Sequence, residues 1–322
     1  MINILCPSPK MFSEKGLEYA AEFGRLYAME MSQEEFEQAA PEFNILLVRF
    51  NTRVNSTAMN PRIGTSQVHA VLSPTTGIDH LDISAICNAG AQVFHLKGER
   101  EFLTSITGTA ELALGLLLSI SRKIVSSVNS VNSGIWMPDQ YRGIQLHGRT
   151  MGIIGIGRLG SMMARYGEAL GMSVIAYDPY VEKLPDYVRP ACDLEDLLIQ
   201  SDVVTLHAPL NEETKHMLAE NEFRQMRKTA ILINTSRGAL VNSIDLQRAL
   251  EEGVIAGAAL DVIEDELLFP DVSNPLTEYA KNHENCIITS HIGGATFDSV
   301  EKTDLYILEK YFNGQNSTLR GG

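Results

Sequence analysis

"GIIGIGRLG" occupies residues 152–160 and holds spaced glycines among apolar residues. Gly155, Gly157 and Gly160 form a G-x-G-x-x-G pattern, which alone also fits a glycine-rich turn between a helix and a strand. Its surroundings narrow the choice. The run "TMGIIGI" (150–156) reads as a buried strand, and residues 159–170 read as a helix. In that setting Gly155 permits a tight turn, Gly157 lets backbone approach a pyrophosphate, and Gly160 lets helix and strand pack closely. The amides at the helix start receive the phosphates. Arg158 adds a charge-assisted contact, and Leu159 shares the loop.

The next strand, "MSVIAYD", ends in Asp178, followed by Pro179. Asp178 lies near the offset of about twenty residues at which an acid takes the ribose hydroxyls. Alone it reads as a turn residue before proline. Paired with the glycines it reads as a cofactor ligand that repels a 2′-phosphate, so the expected cofactor is NAD. The runs "VVTLHA", "AILINT", "VIAGAALDV" and "CIITS" complete six strand candidates between 150 and 290, the complement of a doubly wound dinucleotide fold.

Upstream, "INILC", "NILLVRF", "VHAVL" and "AQVFHL" alternate with helix-favouring stretches, which predicts βαβ units and a second parallel sheet. The fold class is therefore α/β. A long helix is expected over 106–124, buried because its first half is apolar nearly all round. The amphipathic stretch "FDSVEKTDLYILEKYFNG" is expected to return to the first domain.

The length allows two domains. A net charge of −14 argues against nucleic acid or an anionic membrane as partner and leaves any anionic ligand in need of a local cation. Cys6, Cys87, Cys192 and Cys286 form no CxxC, so buried reduced thiols in a cytoplasmic protein are expected, with no disulfide framework and no metal site. "MINILCPSPK" lacks the regions of a signal peptide, and no apolar stretch is expected to reach membrane-spanning length.

Three consecutive strand ends carry chemistry. "INTSRGALVN" places Arg237 among small residues, and its planar fork suits a carboxylate. "LDVIEDELLF" brings Asp261, Glu264, Asp265 and Glu266, of which at least two read as a solvated acidic turn. "TSHIGGAT" brings His291. Convergence on one sheet edge is a stronger signal than any of the three alone.

With "TTGIDHLD", "TAELALGLLL", "GRTMGIIGIGRLG", "HAPLNEET" and "GAALDV" added to these motifs, the chain resembles the D-isomer-specific 2-hydroxyacid dehydrogenases over nearly its whole length. That resemblance implies a discontinuous architecture. Residues 1–100 and 295–322 would form a flavodoxin-like substrate domain, and 101–294 an inserted Rossmann-type NAD domain. It implies hydride transfer between a D-2-hydroxy acid and its 2-oxo acid. Arg237 would bind the substrate carboxylate and C2 oxygen, His291 would be the general acid/base, and Glu266, five residues after Asp261, would favour its imidazolium. Thr75, Thr76 and Gly77 would hold the other end of the substrate. His207, Ala208, Pro209, Thr214, Thr235, Ser236, Asp261, Gly293 and Gly294 would line the cofactor site.

Two departures stand out. Leu267-Leu268 follow Glu266 where the family has proline, which leaves Glu264 as a competing partner of His291, and Phe50-Asn51 stand where many relatives have serine. A non-catalytic NAD sensor resembling the family's corepressors is the alternative, and an unusual hydride donor such as phosphite is a third reading. His69, His80, His95, His147, His216 and His283 read as surface or packing residues. Trp136 and Met137 read as substrate, partner or subunit contacts, and the resemblance implies a homodimer.

Overall fold

In the computed structural model, which describes residues 1–60, 66–266 and 274–319, the glycine motif joins strand Thr150–Ile154 to helix Arg158–Ala169. The chain divides into two units, Met1–Ile106 with Ala295–Gly322, and Thr107–Gly294. The break falls at Ile106 rather than at residue 100, because Leu103 and Ile106 belong to the first unit's core.

The first unit holds strands β1 (Asn3–Cys6), β2 (Arg25–Ala28), β3 (Ile45–Leu47), β4 (Ala70–Ser73) and β5 (Gln92–His95) in the order β2-β1-β3-β4-β5, with every pair parallel. That is the flavodoxin order. Alternate residues bury opposite faces, as the two-residue period of a strand requires. Ile4, Ile45, Leu47 and Leu72 face one core, and Leu5, Leu46 and Val71 face the other. The first core is completed by Ile307, Leu308, Tyr311 and Phe312 of helix Phe297–Leu319.

The second unit holds β6 (Thr150–Ile154), β7 (Ser173–Tyr177), β8 (Val188–Pro190), β9 (Val203–Leu206), β10 (Ile231–Asn234), β11 (Gly257–Leu260) and β12 (Cys286–Ile288). Their order is β12-β11-β10-β9-β6-β7-β8. Six of these reproduce the dinucleotide-binding order, with chain reversal between β6 and β9. Helix Gly108–Ser121 covers one face through Ala113, Leu116, Leu117 and Ile120.

Several expectations need correction. Strands β2 and β8 escape the sequence because both are short edge strands; "RLYA" has no fully buried residue and "VRP" ends in proline. The helix expected over 106–124 spans Gly108–Ser121, since Lys123 adopts φ 51° and starts the separate helix Ile124–Asn132. By length and composition the stretch Arg100–Ser121 is apolar enough to cross a membrane, although much of its apolar surface is core. Cys6 and Cys286 are buried, and burial pushes both thiols up to about 12, whereas Cys87 and Cys192 are exposed. Leu267-Leu268 lie outside the described residues.

Candidate active site

The glycine loop has the shape its motif predicts. Gly155 adopts φ +88°, and a Cβ there would lie 2.8 Å from the backbone at His207 and Ala208. A Cβ on Gly160 would lie 2.1 Å from the Gly155 carbonyl oxygen, so only glycine lets this helix start so close to β6. A Cβ on Gly157 would meet nothing within 4 Å, so the space beside its Cα is open to a ligand. The first amides of a helix have no acceptor within it, and these start beside that opening. Burial pulls the Arg158 guanidinium below its usual range.

Asp178 braces the loop from β7. Its carboxylate accepts from the amides of Ile156 at 3.0 Å and Tyr180 at 3.0 Å. The Tyr180 hydroxyl donates to Glu213 at 2.6 Å, which ties the loop after Asp178-Pro179 to the 207–214 segment. In that segment the Thr214 hydroxyl donates to the Pro209 carbonyl at 2.7 Å. Ser236 Oγ donates to the Ala208 carbonyl at 2.6 Å, joining the ends of β9 and β10. Among the described residues, His207 Nδ1 and Thr235 Oγ1 are buried without a partner. Two orphaned polar atoms at adjacent strand ends, beside an open glycine loop, fit a polar cofactor.

The chemical residues leave the next three strands. Arg237 follows β10 and donates from Nη1 to the Ser236 carbonyl at 2.7 Å. A Cβ on Gly238 would sit 2.0 Å from the Ile263 carbonyl carbon, so glycine lets this turn pack directly on the segment after β11. Asp261, almost fully buried, accepts from the Thr289 hydroxyl at 2.6 Å and from the amides of Ile292 at 2.9 Å and Gly293 at 2.7 Å. Its own carbonyl accepts from the His291 amide at 2.9 Å. The Asp261 carboxylate, expected at the cofactor, thus shapes the turn that carries His291. Gly293 is packed against Asp261 and Thr109, while Gly294 faces open space.

His291 Nδ1 lies 2.6 Å from Glu266 Oε1. An ionised carboxylate only accepts, so Nδ1 carries the proton of this bond. Glu264 instead pairs with His216, whose Nε2 lies 2.7 Å from Glu264 Oε1. That separates the two candidate carboxylates. It also gives His216 a defined partner, which no local pattern announces across 48 residues.

In the first unit, Thr75 Oγ1 donates to the Gly77 carbonyl at 2.8 Å and pairs with Ser73 Oγ at 2.8 Å, holding the loop after β4 in a tight turn. Thr76 is exposed. His80 is buried against Ser73 Oγ at 3.0 Å, and Asn51 donates to Ser8 Oγ at 2.8 Å. Among the described residues no three His, Cys, Asp or Glu side chains converge to hold a metal ion.

The family profile described as "D-isomer specific 2-hydroxyacid dehydrogenase, NAD binding domain" matches residues 114–293. A D-3-phosphoglycerate dehydrogenase of Archaeoglobus fulgidus is 32% identical over 316 residues, 97% of this chain but 57% of that protein. The chain therefore spans little more than half the length of that relative. A hydroxypyruvate reductase of Thermotoga maritima is 30% identical over 282 residues, 88% of each chain. Among solved structures, the TT0316 protein of Thermus thermophilus superposes with a TM-score of 0.83 at 30% identity, over 96% of this chain and 95% of that one.

Proposed function

Because the chain belongs to the D-isomer-specific 2-hydroxyacid dehydrogenase family and carries its NAD-binding domain, we propose that it interconverts a D-2-hydroxy acid and its 2-oxo acid. The observation that carries this reading is the 2.6 Å contact between His291 Nδ1 and Glu266 Oε1, at the same sheet edge as Arg237. When bound, the nicotinamide supplies or accepts the hydride at C2. The chain's own residues manage charge and proton. Arg237 binds the substrate carboxylate and polarises the C2 oxygen, a local cation in a protein of net charge −14. With Nδ1 held by Glu266, His291 Nε2 exchanges the proton with the C2 oxygen, and the carboxylate stabilises the imidazolium when it forms. Asp178 disfavours a 2′-phosphate and supports NAD over NADP.

The test is a panel of small 2-oxo acids with NADH and NADPH, followed by absorbance of the reduced cofactor. His291→Gln should lower kcat roughly 10²–10⁴-fold with NADH binding intact, the range for losing a general acid/base. Arg237→Ala should mainly raise KM for the oxo acid. Normal kcat in the histidine variant sinks the assignment, and NADH binding without turnover across the panel points instead to a non-catalytic sensor. A homodimer is supported by exposed apolar side chains, Ile124, Val128 and Val131 at helical spacing on helix Ile124–Asn132, with Ile135, Trp136 and Met137 exposed in the loop after it.

A further inference from the structure

We propose that His216 and Glu264 form a positioning pair that holds the Glu266–His291 contact in place; this rests on the acid/base role assigned to His291. Among the described residues, four non-glycine residues adopt left-handed φ: Lys123, His216, Asp265 and His291. Three of them belong to this one cluster. Residues with a Cβ occupy that region only where their surroundings hold them there, and such positions gather at functional sites.

Asp265, at φ 57°, separates Glu264 from Glu266, and these two reach different histidines, His216 at 2.7 Å and His291 at 2.6 Å. The His216 amide donates to the Ala239 carbonyl at 2.8 Å, which ties it to the turn after Arg237. That turn packs on the peptide before Glu264, where a Gly238 Cβ would lie 2.4 Å from the Glu264 nitrogen. Asn274 Nδ2 donates to the Glu264 carbonyl at 3.0 Å and holds the far side. The His216–Glu264 bond thus joins the loop bearing Thr214 to the segment bearing Glu266, while the His216 amide fixes that loop to the turn after Arg237. Glu264 acts through Glu266, two residues on, whose misplacement by about 1 Å is enough to cost up to a hundredfold in rate.

The test compares Glu264→Ala, Glu264→Gln, His216→Ala and the double variant His216→Ala/Glu264→Ala. One readout needs no turnover: the downfield proton resonance of His291 Nδ1–H, assigned by its loss in His291→Gln. In Glu264→Ala and His216→Ala the resonance should vanish and kcat should fall about ten- to hundredfold, with NADH affinity unchanged. Glu264→Gln, which still accepts from His216 Nε2–H, should restore most of both. The double variant should be no worse than either single one, because both remove the same bond. Retention of the resonance and of kcat in Glu264→Ala overturns the proposal, and so does full additivity in the double variant. If Glu264→Ala does not fold, His216→Ala, on a different loop, carries the same comparison. If the wild-type protein reduces no oxo acid, the functional reading fails while the resonance still decides the pairing.

Discussion

His207 directly follows β9, with Nε2 2.9 Å from Thr205 Oγ1 and Nδ1 without a partner among the described residues. Burial of the ring pulls its pKa from 6.5 to about 4. Because the folded value is the lower one, the unfolded chain takes up a proton between pH 6.5 and 4 that the folded protein refuses. Stability therefore falls as pH drops through that window, by up to about 3 kcal/mol from this residue, and no further once both states are protonated. Urea midpoints measured across this range should fall in the wild-type protein and flatten in His207→Asn. Equal slopes in the two proteins would remove the attribution. The family resemblance implied a cofactor role for His207, but the desolvation behind its shifted titration comes from packing.

At the scale of elements, helix Phe297–Leu319 shows where pattern reading stops. Its apolar positions were legible, and Ile307 and Leu308 are fully buried in the first unit's core. Asp304, on the same helix, is fully buried. It accepts from the Ser13 amide at 2.7 Å, the Ser13 hydroxyl at 2.9 Å and Arg49 Nη2 at 2.6 Å, binding the helix to the chain after β1 and β3. Burial raises the Asp304 carboxyl above its ordinary value even with Arg49 beside it. Asp304→Ala leaves the buried Arg49 charge uncompensated and should cost roughly 3–5 kcal/mol in urea unfolding, while replacing both residues with apolar ones should recover much of the loss. A cost below about 1 kcal/mol, the median of surface pairs, would show that the pair is solvated.

Across the whole molecule, strong negative charge coexists with exposed apolar side chains on helix Ile124–Asn132 and the loop after it. Val128→Glu places a charge among them. It should shift sedimentation from dimer toward monomer and leave NADH binding unchanged. A wild-type protein that sediments as a monomer rules the homodimer out. Local patterns had already determined much of this protein: the glycine turn, most of the strands, two parallel-sheet domains, and the residue types at the strand ends. Each of these follows from chemistry between near neighbours. Only the tertiary structure decided which carboxylate meets which histidine. Glu266 and His291 are 25 residues apart, and Glu264 and His216 are 48 apart. The choice between them is made by left-handed backbone at Asp265 and by the contact that Gly238 alone permits, neither of which spacing along the chain can specify.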